Sequence, residues 1–177
     1  LKKIEIIPVE HHLAHAASAY HCSGFTEKTA ILGIDGKGEY ATTFFGYGEN
    51  GKIHKIKEFY DPDSLGGLYG ALTEFLGFEM LDGEYKVMGM APYGVPRYVD
   101  EVRRLVRMAA DGSFRLNMEY FAFHRSTKIP WTGKFLDLFG EPRQASDKFF
   151  TESSGYPSYF GPKPADYAEQ SRRNQHY

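Results

Sequence analysis

The densest chemistry in this sequence is His11-His12-Leu13-Ala14-His15. On a helix, His11 and His15 stand one turn apart and project from one face, so both imidazoles reach a single cation. His12 and His15 offer a second pairing at i, i+3. Two imidazoles need a third group, usually a carboxylate, and Asp35 in Asp35-Gly36-Lys37-Gly38-Glu39 is the candidate. An Asp at the mouth of a sheet, followed by glycines, lets backbone N–H groups approach a phosphate while the carboxylate holds a metal or a water. If helix and turn converge, His11, His15 and Asp35 form a 2-His-1-carboxylate set, which leaves coordination positions open and suits iron(II) or a similar divalent ion. No Glu follows His11, which excludes an H-E-x-x-H protease site. Spacing leaves plainer readings open: histidines at a helix start also face solvent or satisfy backbone groups, and Asp-Gly is a common hairpin turn.

A third segment, Gly83 to Gly94 (GEYKVMGMAPYG), sets Lys86 among small and apolar residues. Lys86 is either a contact to a phosphate or substrate oxygen or a surface lysine, and spacing alone favours the surface. Arg103, Arg104 and Arg107 read as a solvated helix face, and the spread aromatics as core. Ser18 and Cys22 lie at i, i+4 without a dedicated acid–base partner, so no nucleophile is assigned and the catalytic residues stay unknown.

The positioning elements follow from pattern. Ile4-Glu5-Ile6-Ile7-Pro8-Val9 alternates loosely and predicts a short strand. The alanine-rich stretch from Glu10 to Cys22 predicts a helix of about three turns, stopped by Gly24. Thr29 to Ile34 is a continuous apolar run, the pattern of a strand buried on both faces. The β-branched and aromatic residues 40–47, an Asn50-Gly51 turn and the imperfect alternation of Lys52 to Phe59 complete a three-stranded antiparallel meander. Asp63 or Ser64 caps a helix whose stripe is Leu65, Leu68, Tyr69, Leu72, Phe75 and Leu76, closed by Gly77. A short helix is predicted at Gly83 to Met90, an amphipathic helix at Arg97 to Ala109, a strand at Ser113 to Met118 and a polar helix at Ala165 to Tyr177. Residues 139–164 read as a long irregular connection or lid. The fold class is mixed α/β, with flanking helices on the meander.

Composition narrows the possibilities. The chain has 177 residues, suited to one ordinary domain rather than two. Lys and Arg number 21 against 23 Asp and Glu, a net charge of -2, which argues against nucleic-acid binding by bulk electrostatics. With 14 Phe, 13 Tyr and one Trp the chain has ample apolar surface to bury, which excludes disorder. The single cysteine, Cys22, excludes an internal disulfide and a multi-thiolate metal site. No apolar run is long enough for a membrane helix and no signal peptide is visible, so a cytoplasmic location is the default expectation.

Four stretches together, HHLAHAASAYHCSGF (11–25), DGKGEYATTFFGYGENGKI (35–53), LYGALTEFLGF (68–78) and GEYKVMGMAPYG (83–94), resemble the carbamoyltransferase family of nodulation-factor and tobramycin O-carbamoyltransferase type. They cover most of residues 10–95 in register; residues 96–177 resemble the family's more variable middle. The resemblance implies part of an actin-like ATPase (ribonuclease-H-like) domain: the end of a first lobe at 1–25, the start of a second at 29–95, and a variable insertion or connection at 96–177. It implies that carbamoyl adenylate, made from carbamoyl phosphate and ATP by a separate domain, gives its carbamoyl group to a hydroxyl of a small-molecule or glycan acceptor. In that family's pattern His11, His15 and Asp35 hold iron or another divalent metal. Gly36 and Gly38 line the nucleotide site, and Lys86 is a looser candidate there. The family's first strand and phosphate loop are expected before Leu1, and a further metal-binding Asp beyond Tyr177. The chain therefore reads as a fragment, inactive alone. Two competing readings are the related threonylcarbamoyl-adenosine tRNA-modifying transferases and a non-catalytic module of the same fold.

Overall fold

The alanine-rich stretch forms α1 (His11–Cys22), as the high helix propensity of alanine favours. The computed structural model describes residues 4–126 and 128–177. Two compact units are present, Leu1–Gly67 and Leu68–Tyr177, where chain length suggests one domain.

In the first unit, α1 is followed by β1 (Thr29–Ile34), β2 (Ala41–Glu49) and β3 (Lys52–Tyr60), an antiparallel sheet in the order β1-β2-β3. Leu32 pairs with Phe45 and Ile34 with Thr43. Asn50 and Gly51 both adopt positive φ (52° and 72°), the backbone that a tight hairpin with the right twist requires. Along β2, alternate residues face α1. Phe44 joins Ala16, Tyr20 and Ile31 in one buried cluster, with Ile53 packed against it. Each such aromatic or branched side chain contributes about 1.5–3 kcal/mol on burial. Tyr20 packs against Gly48, where a Cβ would stand 2.5 Å from the ring Cζ, so the absent side chain lets the helix settle onto the sheet.

Two expectations in this unit are corrected. The stretch Ile4–Val9 forms no strand; no described strand offers it ladder partners, and Ile4 and Ile6 are 85% and 86% exposed. β1 is not buried on both faces either. Among the described residues it is an edge strand, with Leu32 and Ile34 57% and 53% exposed on the side away from α1.

The chain crosses into the second unit along α2 (Leu65–Phe75), capped as expected by Ser64, whose Oγ accepts the Gly67 N–H at 2.8 Å. Then come α3 (Glu84–Met90), α4 (Val99–Leu105), a β4–β5 hairpin (Val106–Met108 with Phe114–Leu116), α5 (Gly133–Phe139) and α6 (Tyr167–Asn174). Its core is aromatic: Phe75 meets Trp131, Phe135 and Phe139, and Phe121 packs on Phe135. The amphipathic pattern over 97–109 predicts more helix than forms. Residues 106–108 leave it because β5 supplies ladder partners across the Asp111-Gly112 turn, and β-branched Val106 favours an extended backbone. Helix α5 is not among the elements the sequence pattern predicts. Residues 139–164 are largely irregular, but Phe150 within them is fully buried and stacks on Tyr167 of α6 at 5.2 Å. No helix of the described residues is long and apolar enough to cross a membrane.

Candidate metal centre

Two elements set the site. Helix α1 presents His11 and His15 from successive turns, and β1 ends at Ile34 so that Asp35 opens the turn into β2. The turn is closed by main-chain bonds, from Asp35 N–H to the Thr42 carbonyl (2.9 Å) and from Gly38 N–H to that of Ala41 (2.8 Å). Ser64, fully buried ahead of α2, donates its hydroxyl to the Gly36 carbonyl at 2.6 Å, so the start of α2 buttresses the turn from behind.

The three side chains converge. His11 Nε2 lies 2.5 Å from Asp35 Oδ2, His15 Nε2 lies 3.0 Å from His11 Nε2, and His15 Nε2 lies 3.5 Å from Asp35 Oδ2. Their ligand atoms all fall within 4.8 Å of one another. The other carboxylate oxygen, Oδ1, accepts the Gly36 N–H at 2.6 Å, which aims Oδ2 at the imidazoles. Partial burial alone would raise the Asp35 carboxyl. The His11 bond, the Gly36 N–H and the charges of His11 and His15 outweigh it and hold the group below the usual carboxylate range.

This donor set fits a divalent ion. Ligand distances of about 2.0–2.2 Å place neighbouring donors about 3.0–3.5 Å apart for right-angled to tetrahedral arrangements. Two of the three separations already lie there, and the His11–Asp35 pair needs to open by a few tenths of an ångström. Two bare imidazole nitrogens at 3.0 Å also need either a proton or a cation between them. Both histidine side chains are substantially exposed (41% and 59%), so the set is open to solvent on one side.

Of the glycines expected at a nucleotide site, Gly36 has no heavy atom near the position of a Cβ and faces open space. Gly38 instead lies against the His11 ring, which a Cβ would meet at 3.2 Å. Lys86 belongs to the second unit, on α3, with Nζ 3.4 Å from Asp82 and over the Tyr85 ring. Ser18 donates to the His15 carbonyl, and Cys22 is free and exposed.

The roles of two residues come into view only here. Glu39 accepts the His11 backbone N–H at 3.1 Å, fixing the start of α1 against the turn; its own N–H and that of His11 hold its carboxyl below the usual range. No local pattern reveals a contact between residues 28 apart. His12 does not pair with His15, whose ring centroid is 6.3 Å away; it turns inward, and its Nε2 lies 3.8 Å from Asp35 Oδ2.

A family model described as carbamoyltransferase N-terminus matches residues 1–154. The chain is 47% identical over 145 residues to the uncharacterized protein sll1178 of Synechocystis, a match covering 81% of this chain and 23% of that protein. It is 35% identical over 148 residues to the nodulation protein NolNO of Sinorhizobium fredii, covering 79% and 22%. With the nodulation protein NolO of Bradyrhizobium diazoefficiens it shares 36% over 112 residues, covering 63% and 20%. The chain thus spans about a fifth to a quarter of the length of these curated relatives. Since the family model takes in most of the sequence, including His11, His15 and Asp35, the chain belongs to the carbamoyltransferase N-terminus family.

Proposed function

We propose that this chain carries the metal-holding part of a carbamoyltransferase that moves a carbamoyl group from carbamoyl adenylate to an acceptor hydroxyl. The observation that carries the reading is the convergence of His11, His15 and Asp35 beside the open face of Gly36. Family membership supports carbamoyl transfer as the reaction class, and the strand-edged meander under a His-bearing helix supports an actin-like ATPase domain.

In the full-length protein the acceptor oxygen attacks the carbamoyl carbon. The bond from that carbon to the adenylate phosphate oxygen breaks, AMP leaves with the electron pair, and the hydroxyl proton passes to solvent. A divalent ion, iron in this reading, supplies Lewis-acid polarisation and a template when bound. The chain's own residues do the positioning. His11 and His15 present Nε2 from one helix face, and Asp35 supplies negative charge through Oδ2. Gly36 leaves room for a phosphate or carbamoyl oxygen to approach the turn. Lys86 remains a candidate contact to a phosphate oxygen; its exposed pair with Asp82 is worth at most about 1 kcal/mol and gives way easily. Carbamoyl phosphate, ATP and a hydroxyl-bearing small molecule or glycan are the partners this reading requires.

The test is His11→Ala and His15→Ala in the full-length protein. Carbamoyl transfer should be abolished while adenylate formation persists. Undiminished transfer in either variant overturns the assignment.

A further inference from the structure

Within this proposed metal centre, His12 has no role in the ligand set, yet it is the most deeply enclosed of the three histidines. It is 2% exposed, and its Nε2 has no hydrogen-bond partner among the described residues. A buried polar nitrogen left unpaired is costly, so it calls for a partner that another state of the site provides. The polar atom that Nε2 faces is Asp35 Oδ2 at 3.8 Å, beyond hydrogen-bond reach. That oxygen is already taken by His11 at 2.5 Å, and Oδ1 by the Gly36 N–H.

We infer that His12 is the positioning donor to the Asp35 carboxylate in the cation-bound site. When His11 Nε2 turns its lone pair to a cation, its bond to Oδ2 is lost and the carboxylate needs another donor. His12 Nε2–H stands behind it, on the same helix turn, and closes from 3.8 Å to an ordinary hydrogen bond. Outer partners of this kind fix a carboxylate ligand's orientation and commonly change metal affinity about 10–100-fold. His12 is thus a positioning residue rather than a ligand. This rests on His11, His15 and Asp35 being the metal ligands.

The experiment is titration of the metal-free full-length protein with cobalt(II), followed by its visible ligand-field absorption, with circular dichroism to check folding. Three variants are compared. His12→Phe keeps a buried ring without a donor, His12→Gln places an amide N–H near the Nε2 position, and His12→Asn places one near Nδ1. His12→Phe and His12→Asn should bind cobalt about 10–100-fold more weakly with a changed spectrum, and His12→Gln should recover most of the affinity. If His12→Phe fails to fold, the contrast between Gln and Asn decides. Parent-like binding by His12→Phe or His12→Asn overturns the inference, as does His12→Gln binding no better than either. A parent protein that takes up no cobalt overturns the metal centre itself, and this inference with it.

Discussion

Gly66→Ala is the sharpest probe of how the site is held, because two physical effects predict opposite signs. Gly66 is the second residue of α2, and alanine there improves helix propensity by up to about 1 kcal/mol. Against this, a Cβ at Gly66 would stand 2.5 Å from the Gly36 nitrogen and 2.6 Å from both the Asp35 carbonyl carbon and oxygen. All three atoms are backbone, so no rotamer change relieves the clash. Reaching even a close contact of 3.4 Å requires a shift of about 0.9 Å between α2 and the Asp35 turn. Overpacking of this kind costs about 1–3 kcal/mol, so the net change should be destabilising by up to about 2 kcal/mol. The larger effect should fall on the site. A ligand set tolerates about 0.5 Å of misplacement, and an error near 1 Å in a positioned group costs on the order of 100-fold. Urea unfolding and cobalt(II) titration of the full-length protein read the two quantities separately. A Gly66→Ala protein that is more stable than the parent and binds cobalt as tightly would refute the buttressing role of α2.

Other substitutions test neighbouring contacts. Ser64→Ala removes both the cap on α2 and the bond to the Gly36 carbonyl; a loss of about 1–2 kcal/mol in urea unfolding is expected, and a change within error would count against the cap. Lys55 reaches Glu10 at 2.6 Å and Glu58 at 2.9 Å, tying the residue before α1 to β3. Burial alone would raise the Glu58 carboxyl, but bonds from Lys55 and Tyr60 hold it below its ordinary value of 4.5. Its contribution to stability is therefore complete above that value and is lost as pH falls through the lower folded value. The Glu10 bond, with Glu58 adding to it, raises the Lys55 ammonium above 10.5. Its contribution is complete below 10.5 and lost as pH rises through the folded value. Lys55→Met should accordingly flatten the fall of the urea midpoint between neutral and acidic pH, and an unchanged slope would show that the network is idle. Gly51→Ala places a side chain at a φ of 72° in the β2–β3 hairpin; it should destabilise by about 1 kcal/mol, read as a lower urea midpoint.

Much of the first unit was legible in the chain because its signals are local. Alanines from Ala14 to Ala19 write α1, the apolar run Thr29–Ile34 writes β1, and Asn50-Gly51 writes the hairpin. Each depends on backbone preferences within a few residues. Local preference is overridden where a partner decides. The Ile-rich stretch before Pro8 has strand composition without a described ladder partner, and residues 106–108 follow a helical stripe yet take the hairpin offered by β5. Composition states what a segment prefers, whereas pairing depends on what else reaches it.

The sequence by itself determined the donor types and the one-turn spacing of His11 and His15, because helix geometry fixes which residues share a face. It also determined that Asp35 opens a glycine-rich turn. Only the tertiary structure decided that helix and turn meet within metal-binding distance, since that depends on Tyr20 seating over Gly48, Glu39 holding the start of α1 and Ser64 bracing Gly36. The same packing turned His12 inward onto Asp35 while its neighbours stayed open to solvent. Adjacent histidines are alike in sequence; burial against a particular surface is what gives them different chemistry.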